Sequence, residues 1–201
     1  TFTQLSNPEL GWERNQSVNF GVDFGFFKNR LFGSAEIYQK LTNELLLSQP
    51  VQFTSGFGSI TRNVGSIENK GFELTLGFQP VKSKIADGFN WISTFVFTYN
   101  KNNVKKLYND ATTGLALQEL PGDPTTKVGR ELNSVFTQRY AGVNSATGRP
   151  MWYDINGNIT YVIQNADRVY IGDQQPNYFG GWSNTFSYKG FTLDVFFQYE
   201  Y

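Results

Sequence analysis

Phe191-Thr192-Leu193-Asp194-Val195-Phe196-Phe197-Gln198-Tyr199-Glu200 is the stretch whose reading decides the fold. Phe191, Leu193, Val195, Phe197 and Tyr199 alternate with Thr192, Asp194, Phe196, Gln198 and Glu200. Successive side chains of a strand point to opposite faces, so a two-residue beat gives a ribbon with one apolar and one largely polar side. The same beat sets Val18, Phe20, Val22, Phe24 and Phe26 against Ser17, Asn19, Gly21, Asp23 and Gly25, and it returns in Phe72, Leu74, Leu76 and Phe78. A tilted strand of about ten residues spans the hydrocarbon of a bilayer. The pattern predicts an all-β chain, a sector of an antiparallel transmembrane β-barrel.

Outward from this stretch, residues 178–188, the Lys189-Gly190 turn and residues 191–201 form the clearest hairpin. Residues 15–27, a tight turn at Lys28-Asn29-Arg30 and residues 31–41 form another, with Leu31, Gly33, Ala35 and Ile37 on the apolar face and Ser34, Glu36, Tyr38 and Lys40 toward the lumen. Residues 69–81 and 89–100 are two further strands around a short turn at Ala86-Asp87-Gly88. Residues 42–68, with Pro50 and Ser55-Gly56-Phe57-Gly58-Ser59, lose the alternation and read as a long loop, as do 101–130 and 163–177. Short turns at one end and long loops at the other match the periplasmic and extracellular ends of such barrels. Residues 131–143 and 151–161 are weaker strand candidates, which either cross the membrane as a pair or fold back within the loops. Asn156-Gly157 suits a two-residue hairpin turn, and Gly180-Gly181 predicts a bulge or a close approach of another segment. Six firm strands are too few to enclose a wide lumen, so the chain reads as part of a wall.

Composition narrows the chemistry. The 201 residues carry 17 basic and 17 acidic side chains, so a polyanion-binding surface for nucleic acid is not supported. There is no cysteine for a disulfide or thiolate site, and no histidine for a Ser or Cys triad or an imidazole metal site. Catalysis would rest on carboxylates alone, so no enzyme activity, catalytic residue, metal or cofactor is assigned. Aromatic residues make up 17% of the chain, and Trp91, Tyr99, Trp182, Tyr188 and Tyr199 are candidates for interfacial girdles. No apolar run is long enough for a transmembrane helix. Thr1 follows no basic-then-apolar leader and Tyr201 falls within a strand pattern, which predicts that the sequence is internal to a longer precursor.

Particular stretches carry a family resemblance: Asn7-Pro8-Glu9-Leu10-Gly11-Trp12-Glu13, Asn63-Val64-Gly65-Ser66-Ile67-Glu68-Asn69-Lys70-Gly71-Phe72-Glu73, and Tyr140-Ala141-Gly142-Val143 followed by Thr147-Gly148. They continue with Asp154-Ile155-Asn156-Gly157, Ile171-Gly172-Asp173, Pro176, Gly180-Gly181-Trp182-Ser183-Asn184-Thr185-Phe186 and Tyr188-Lys189-Gly190-Phe191-Thr192-Leu193. In order and spacing the chain resembles the C-terminal part of the barrel of SusC/RagA-like TonB-dependent outer-membrane transporters of Bacteroidota. The resemblance implies a 22-stranded barrel, with residues 1–201 in its C-terminal portion and the plug domain and closing strand outside this chain. It also implies a SusD-like surface lipoprotein as lid, energy from TonB with ExbB and ExbD, and glycans or oligopeptides too large for porins as substrates.

Asp23, Glu36, Glu73, Asp194 and Glu200 fall on lumen faces, where a polar wall explains them better than acid-base catalysis. Asp154, Asn156 and Asn158 have the alternate spacing of a calcium loop, but Gly157 and the missing bidentate Glu favour a hairpin turn. Phe57, Tyr108, Trp152, Tyr153 and Tyr161 are loop aromatics able to meet a ligand, a lid or one another; no substrate-binding residue is assigned among them. The leading function is import of a large nutrient across the bacterial outer membrane. The alternative is a SusC-like barrel serving as scaffold subunit of a larger outer-membrane complex without import. A soluble carbohydrate-binding β-sandwich would cover its Phe-rich faces with a second sheet, and an outer-membrane hydrolase is disfavoured by the absence of histidine.

Overall fold

The alternating segments assemble into one antiparallel sheet. The computed structural model describes residues 6–51, 54, 56–110, 113–121 and 123–201. The chain divides into two units, Thr1–Asn102 with Pro176–Tyr201, and Asn103–Gln175. In the first, β1 (Arg14–Phe26), β2 (Leu31–Pro50), β3 (Ser59–Val81), β4 (Asn90–Lys106), β12 (Tyr178–Tyr188) and β13 (Phe191–Glu200) are hydrogen-bonded neighbours in that order. The sheet does not close on itself; β1 and β13 are its edges.

Register explains why alternation specifies the sheet. Phe20 lies opposite Ile37 and Ile37 opposite Phe72, while Val22, Ala35 and Leu74 form the next apolar row. Across the sheet Trp182 pairs with both Phe95 and Phe197. A slip of one residue would turn each apolar set to the other face. The face these rows create is bare: Phe20 is 65% exposed and Phe191 81%. The buried apolar residues among those described are Ile60, Val104, Leu107 and Tyr108, none of them from the alternating wall segments. Among the described residues no second sheet covers the Phe-rich face, which removes the sandwich reading and leaves hydrocarbon as the medium that suits it.

Aromatic contacts knit that face across strands. Phe72 meets Phe97 with centroids 6.3 Å apart, Trp91 stacks on Phe186 at 5.6 Å, and Trp182 packs on Phe197 at 5.8 Å. Two polar side chains sit on the same face, Ser93, fully buried, and Asn184, 5% exposed. Each receives an indole hydrogen bond: Trp182 Nε1 donates to Ser93 Oγ at 2.7 Å and Trp91 Nε1 to Asn184 Oδ1 at 3.0 Å. Trp182 therefore sits in the body of the wall rather than in a girdle, while Tyr99, Tyr178 and Tyr201 cluster at a strand end, with centroids 5.2 and 6.5 Å apart.

The turns fall as expected. Phe27, Lys28 and Asn29 all take positive φ between β1 and β2, and Lys189 and Gly190, at φ 48° and 80°, close the β12–β13 hairpin. Lys189 N donates to Asp87 O at 2.9 Å, which brings that turn beside the β3–β4 turn. Gly180-Gly181 is not a bulge, since pairing runs unbroken from Phe179 to Ser187 on both sides. It is a close approach: a Cβ on Gly180 would lie 2.0 Å from Val96 O and 2.6 Å from Tyr199 Oη. The bare backbone lets Tyr199 lie across β12, stack on Phe95 at 6.0 Å and donate its hydroxyl to Val96 O at 3.0 Å.

The long loop expected over residues 42–68 is mostly strand. β2 and β3 stay paired out to Pro50 opposite Ser59, with register shifts around Asn43, Leu45 and Leu46 where Glu44 adopts φ 59°. A strand of 20 residues rises about 66 Å at ~3.3 Å per residue, far more than hydrocarbon requires, so the hairpin projects beyond it. Beyond the bilayer no lipid sorts the two faces, so pairing survives without alternation, and Gln49, Ile60, Ser66 and Glu68 are buried there. Gln52, Phe53 and Ser55 lie outside the described residues. β4 likewise continues through residues first read as loop, to Lys106.

The second unit holds short strands: β5 (Glu119–Leu120), β6 (Asp123–Lys127), β7 (Val135–Gln138), β8 (Tyr140–Val143), β9 (Pro150–Tyr153), β10 (Ile159–Thr160) and β11 (Arg168–Gly172). They form sheets ordered β10-β9-β8, β11-β7 and β5-β6, separate from the six-stranded sheet. Residues 131–161 thus fold back as loop hairpins, because strands of four residues or fewer cannot span a bilayer. The Asn156-Gly157 turn is wider than a two-residue hairpin. Ile159 pairs with Tyr153, and the five intervening residues close through Asp154 N to Asn158 O at 2.8 Å.

Two stability tests follow from the wall. Gly180→Ala is expected to destabilise the full-length barrel by about 1–3 kcal/mol, read as a lowered urea midpoint in lipid vesicles. Trp182→Phe leaves Ser93 Oγ without its donor and is expected to cost about 1–3 kcal/mol; adding Ser93→Ala should recover much of it, a coupling read by a double-mutant cycle.

Candidate functional site: the polar wall face and the loop unit

The face opposite the Phe-rich rows is lined through β1–β3 by Asn19, Tyr38 and Gly71, then Gly21, Glu36 and Glu73, then Asp23, Ser34 and Thr75. The register brings Glu36 directly opposite Glu73, Asn19 donates its amide to Glu36, and Tyr38 Oη donates to Asn100 Oδ1 at 3.1 Å. On β13 Asp194 accepts from Thr185 Oγ1 at 2.5 Å, and Glu200 lies opposite Phe179 at the strand's end. The five carboxylates expected on the lumen side thus share one face. Only Glu36 and Glu73 are neighbours, and the set does not converge: Asp194 belongs to the β12–β13 hairpin and Asp23 to β1, at opposite edges of the sheet. This is a hydrogen-bonding wall, with no acid-base pair set around a reacting atom.

That face is less uniformly polar than alternation implied. Phe32 lies over Gly77 and Phe196 over Gly181, where added Cβ atoms would come within 2.3 and 2.6 Å of the rings, and Tyr38 covers Gly71 in the same way. Ile92, Val96 and Phe179 are exposed beside them. Aromatic rings laid over cross-strand glycines keep this face smooth and shield the bare backbone.

The loop unit, residues 103–175, surrounds Val104, Leu107, Tyr108, Thr126 and Ser134. Polar locks fix its segments. Asp123 accepts from Thr125 Oγ1 at 2.5 Å and Thr126 Oγ1 at 2.9 Å; burial opposes ionisation, but these bonds outweigh it and hold the carboxyl below its usual range. Glu131 accepts from Gln174 N at 3.0 Å, while burial pushes its carboxyl up. Asp154 accepts from Asn158 N at 2.7 Å and Asn158 Nδ2 at 3.1 Å, so this carboxylate closes the turn. Among the described residues no cluster of acidic side chains is arranged to hold a metal ion.

The loop aromatics separate into different roles. Tyr108 is buried and belongs to the unit's core. Trp152 packs edge-on against Tyr140 with centroids 6.4 Å apart. Tyr153 lies under Arg139, whose guanidinium carbon is 5.2 Å from the ring centre, and Tyr161 lies under Arg149 at 4.7 Å. Phe57 lies in the short connection between β2 and β3. The arginines were not signalled by the sequence, since stacking partners eleven or more positions away leave no local periodicity.

The whole chain matches one family. Residues 1–201 match the family described as TonB dependent receptor-like, beta-barrel. The chain belongs to that family. It is 30% identical over 239 residues to the TonB-dependent receptor P39 of Formosa agariphila, covering 98% of this chain and 23% of that protein. It is 29% identical over 197 residues to the TonB-dependent receptor SusC of Bacteroides thetaiotaomicron, covering 92% of this chain and 19% of SusC. The solved RagAB peptide transporter aligns over 100% of this chain and 22% of its own, at 32% identity and a TM-score of 0.78. The TonB-dependent receptor barrel found here is SusC/RagA-like and resides in the outer membrane, and the chain spans about a fifth of the length of the curated relatives it matches.

A titration tests the loop unit's polar locks. Tyr170 Oη donates to Asp173 Oδ1 at 2.6 Å, and this bond, ahead of burial and the carboxylate's charge, pushes the phenol up to about 12. The Arg130 guanidinium, 4.6 Å from the ring centre, pulls the other way. The folded value exceeds the ordinary 10.0, so the stabilisation is complete below the ordinary value and is lost as pH rises through the folded one. Ultraviolet tyrosinate titration of the full-length protein should show this phenol among the last to ionise, and Asp173→Asn should return it toward its ordinary value.

Proposed function

We propose that the full-length protein is a TonB-dependent importer of oligopeptides that works beneath a SusD-like surface lipoprotein. Residues 1–201 form the C-terminal portion of its barrel, and the plug domain and closing strand lie outside them. The observation that carries this reading is the bare Phe-rich face of the six-stranded sheet, in register with a hydrogen-bonding face on the reverse. A wall with those two sides suits lipid on one hand and a hydrated passage on the other. The similarity to the RagAB peptide transporter supports the peptide class, and the similarity to SusC supports the lipoprotein lid. Such a protein works by ligand capture and gated passage with TonB, ExbB and ExbD supplying the energy; it breaks no substrate bond, and no side-chain cluster described above is arranged for catalysis.

Uptake decides it. Deletion of the full-length gene in the native host should abolish energy-dependent entry of labelled oligopeptides, and disrupting TonB should do the same. Loss of glycan uptake with peptide uptake intact would overturn the peptide class. Intact uptake of both, with an envelope complex falling apart, would overturn import and favour the scaffold role.

A further inference from the structure

We propose that one face of the small β8–β9–β10 sheet binds an extended acidic peptide, with Arg139 and Arg149 each taking a carboxylate from alternate residues of that peptide. The inference deepens the import reading and rests on it for its physiological setting.

Arg139 and Arg149 are exposed, and each lies over a tyrosine ring, Tyr153 and Tyr161. Stacking occupies the flat face of a guanidinium and leaves its hydrogen-bonding edge free, in the fork geometry that suits a carboxylate. The two pairs are neighbours. Tyr153 lies opposite Ile159 in the β9–β10 register, and Tyr161 stands two residues beyond Ile159. Asn144, just after β8, holds the Tyr161 hydroxyl through Nδ2 at 2.6 Å and donates its own N to Arg149 O at 2.9 Å. Diagonal neighbours across an antiparallel pair lie about 7–8 Å apart, so the two ring positions on which the guanidinium groups rest are spaced close to the ~6.8 Å that separates alternate residues of an extended chain.

The unit does not satisfy these cations itself. Its carboxylates are engaged elsewhere: Asp110 with Thr113, Glu119 with Lys127, Asp123 with Thr125 and Thr126, and Glu131 with the backbone at Gln174. Asp154 bonds Asn158, Asp167 receives Ile155 N at 3.1 Å, and Asp173 receives Tyr170 Oη. Among the described residues neither Arg139 nor Arg149 has an acidic partner within 4.0 Å. Charge complementarity therefore points to an anionic ligand. The alternate-residue spacing favours a peptide over a sugar chain.

The test uses the full-length protein purified in detergent and two synthetic peptides, Glu-Val-Glu-Val-Glu and its Gln-Val-Gln-Val-Gln counterpart, with oligogalacturonate as a third probe. Wild type should bind the Glu peptide roughly tenfold or more tightly than the Gln peptide. R139Q/R149Q should erase that preference, with an unchanged urea midpoint in lipid vesicles showing that the variant is folded; R139K/R149K should restore part of it. Equal wild-type affinity for the two peptides overturns the inference, as does a preference that survives in R139Q/R149Q. Tighter binding of oligogalacturonate than of the Glu peptide overturns the peptide assignment. Because binding is read on purified protein, its failure is distinct from failure of import, which is read as uptake of labelled oligopeptides by cells carrying the wild-type protein.

Discussion

Within hydrocarbon no water is available to hydrogen-bond a peptide group, so a spanning strand must give its N–H and C=O groups to neighbouring strands. That constraint governs the six-stranded sheet. Backbone pairing fixes the strands side by side, the pleat then sends alternate residues to opposite faces, and the Phe rows at Phe20–Ile37–Phe72 and Val22–Ala35–Leu74 follow from it. The free edges of β1 and β13 carry unpaired backbone that the same constraint requires to be paired within a membrane. This sheet is thus physically incomplete as a membrane object and complete only as part of a wider wall.

The same logic explains the polar exceptions on the apolar face. A serine or asparagine facing lipid would leave its oxygen unsatisfied, yet Ser93 and Asn184 both lie under tryptophans. An indole brings one donor and a large apolar plate, so Trp182 and Trp91 satisfy the oxygens while turning apolar surface outward. Gly180 permits a related arrangement, in which the Tyr199 hydroxyl reaches the carbonyl of Val96 across a strand with no side chain in the way. Small or polar residues in these positions are therefore sockets for aromatic neighbours.

What was legible in the sequence tracks where the medium differs between the two faces. Residues 14–26 and 178–200 could be read nearly to the residue, because lipid and water impose opposite demands on successive side chains. The outer halves of β2 and β3 could not. There no lipid sorts the two faces, Leu45-Leu46-Leu47 sit beside Ser48 and Gln49 without a two-residue beat, and the bulge at Glu44 shifts the register again. The carboxylates of the polar face were legible as a set because parity alone places them. The Arg–Tyr pairs were not, because Arg139 meets Tyr153, and Arg149 meets Tyr161, through the fold of a small sheet whose strands are too short to show a period.

The loop unit solves a different problem from the wall. With few apolar residues to bury, it holds its segments together by turning carboxylates inward onto threonine hydroxyls, asparagine amides and backbone N–H groups. Such bonds contribute most where water is partly excluded, and they orient the carboxylates while leaving their charge in place. The hydrogen-bonded carboxylates are directed at the unit's own donors, while Arg139 and Arg149 lie on tyrosine rings. A tyrosine ring attracts a guanidinium without neutralising it. Holding the loops by anionic locks thus leaves the guanidinium edges of Arg139 and Arg149 without a carboxylate of the unit itself, and the ligand preference proposed for them is a consequence of how the loops are held.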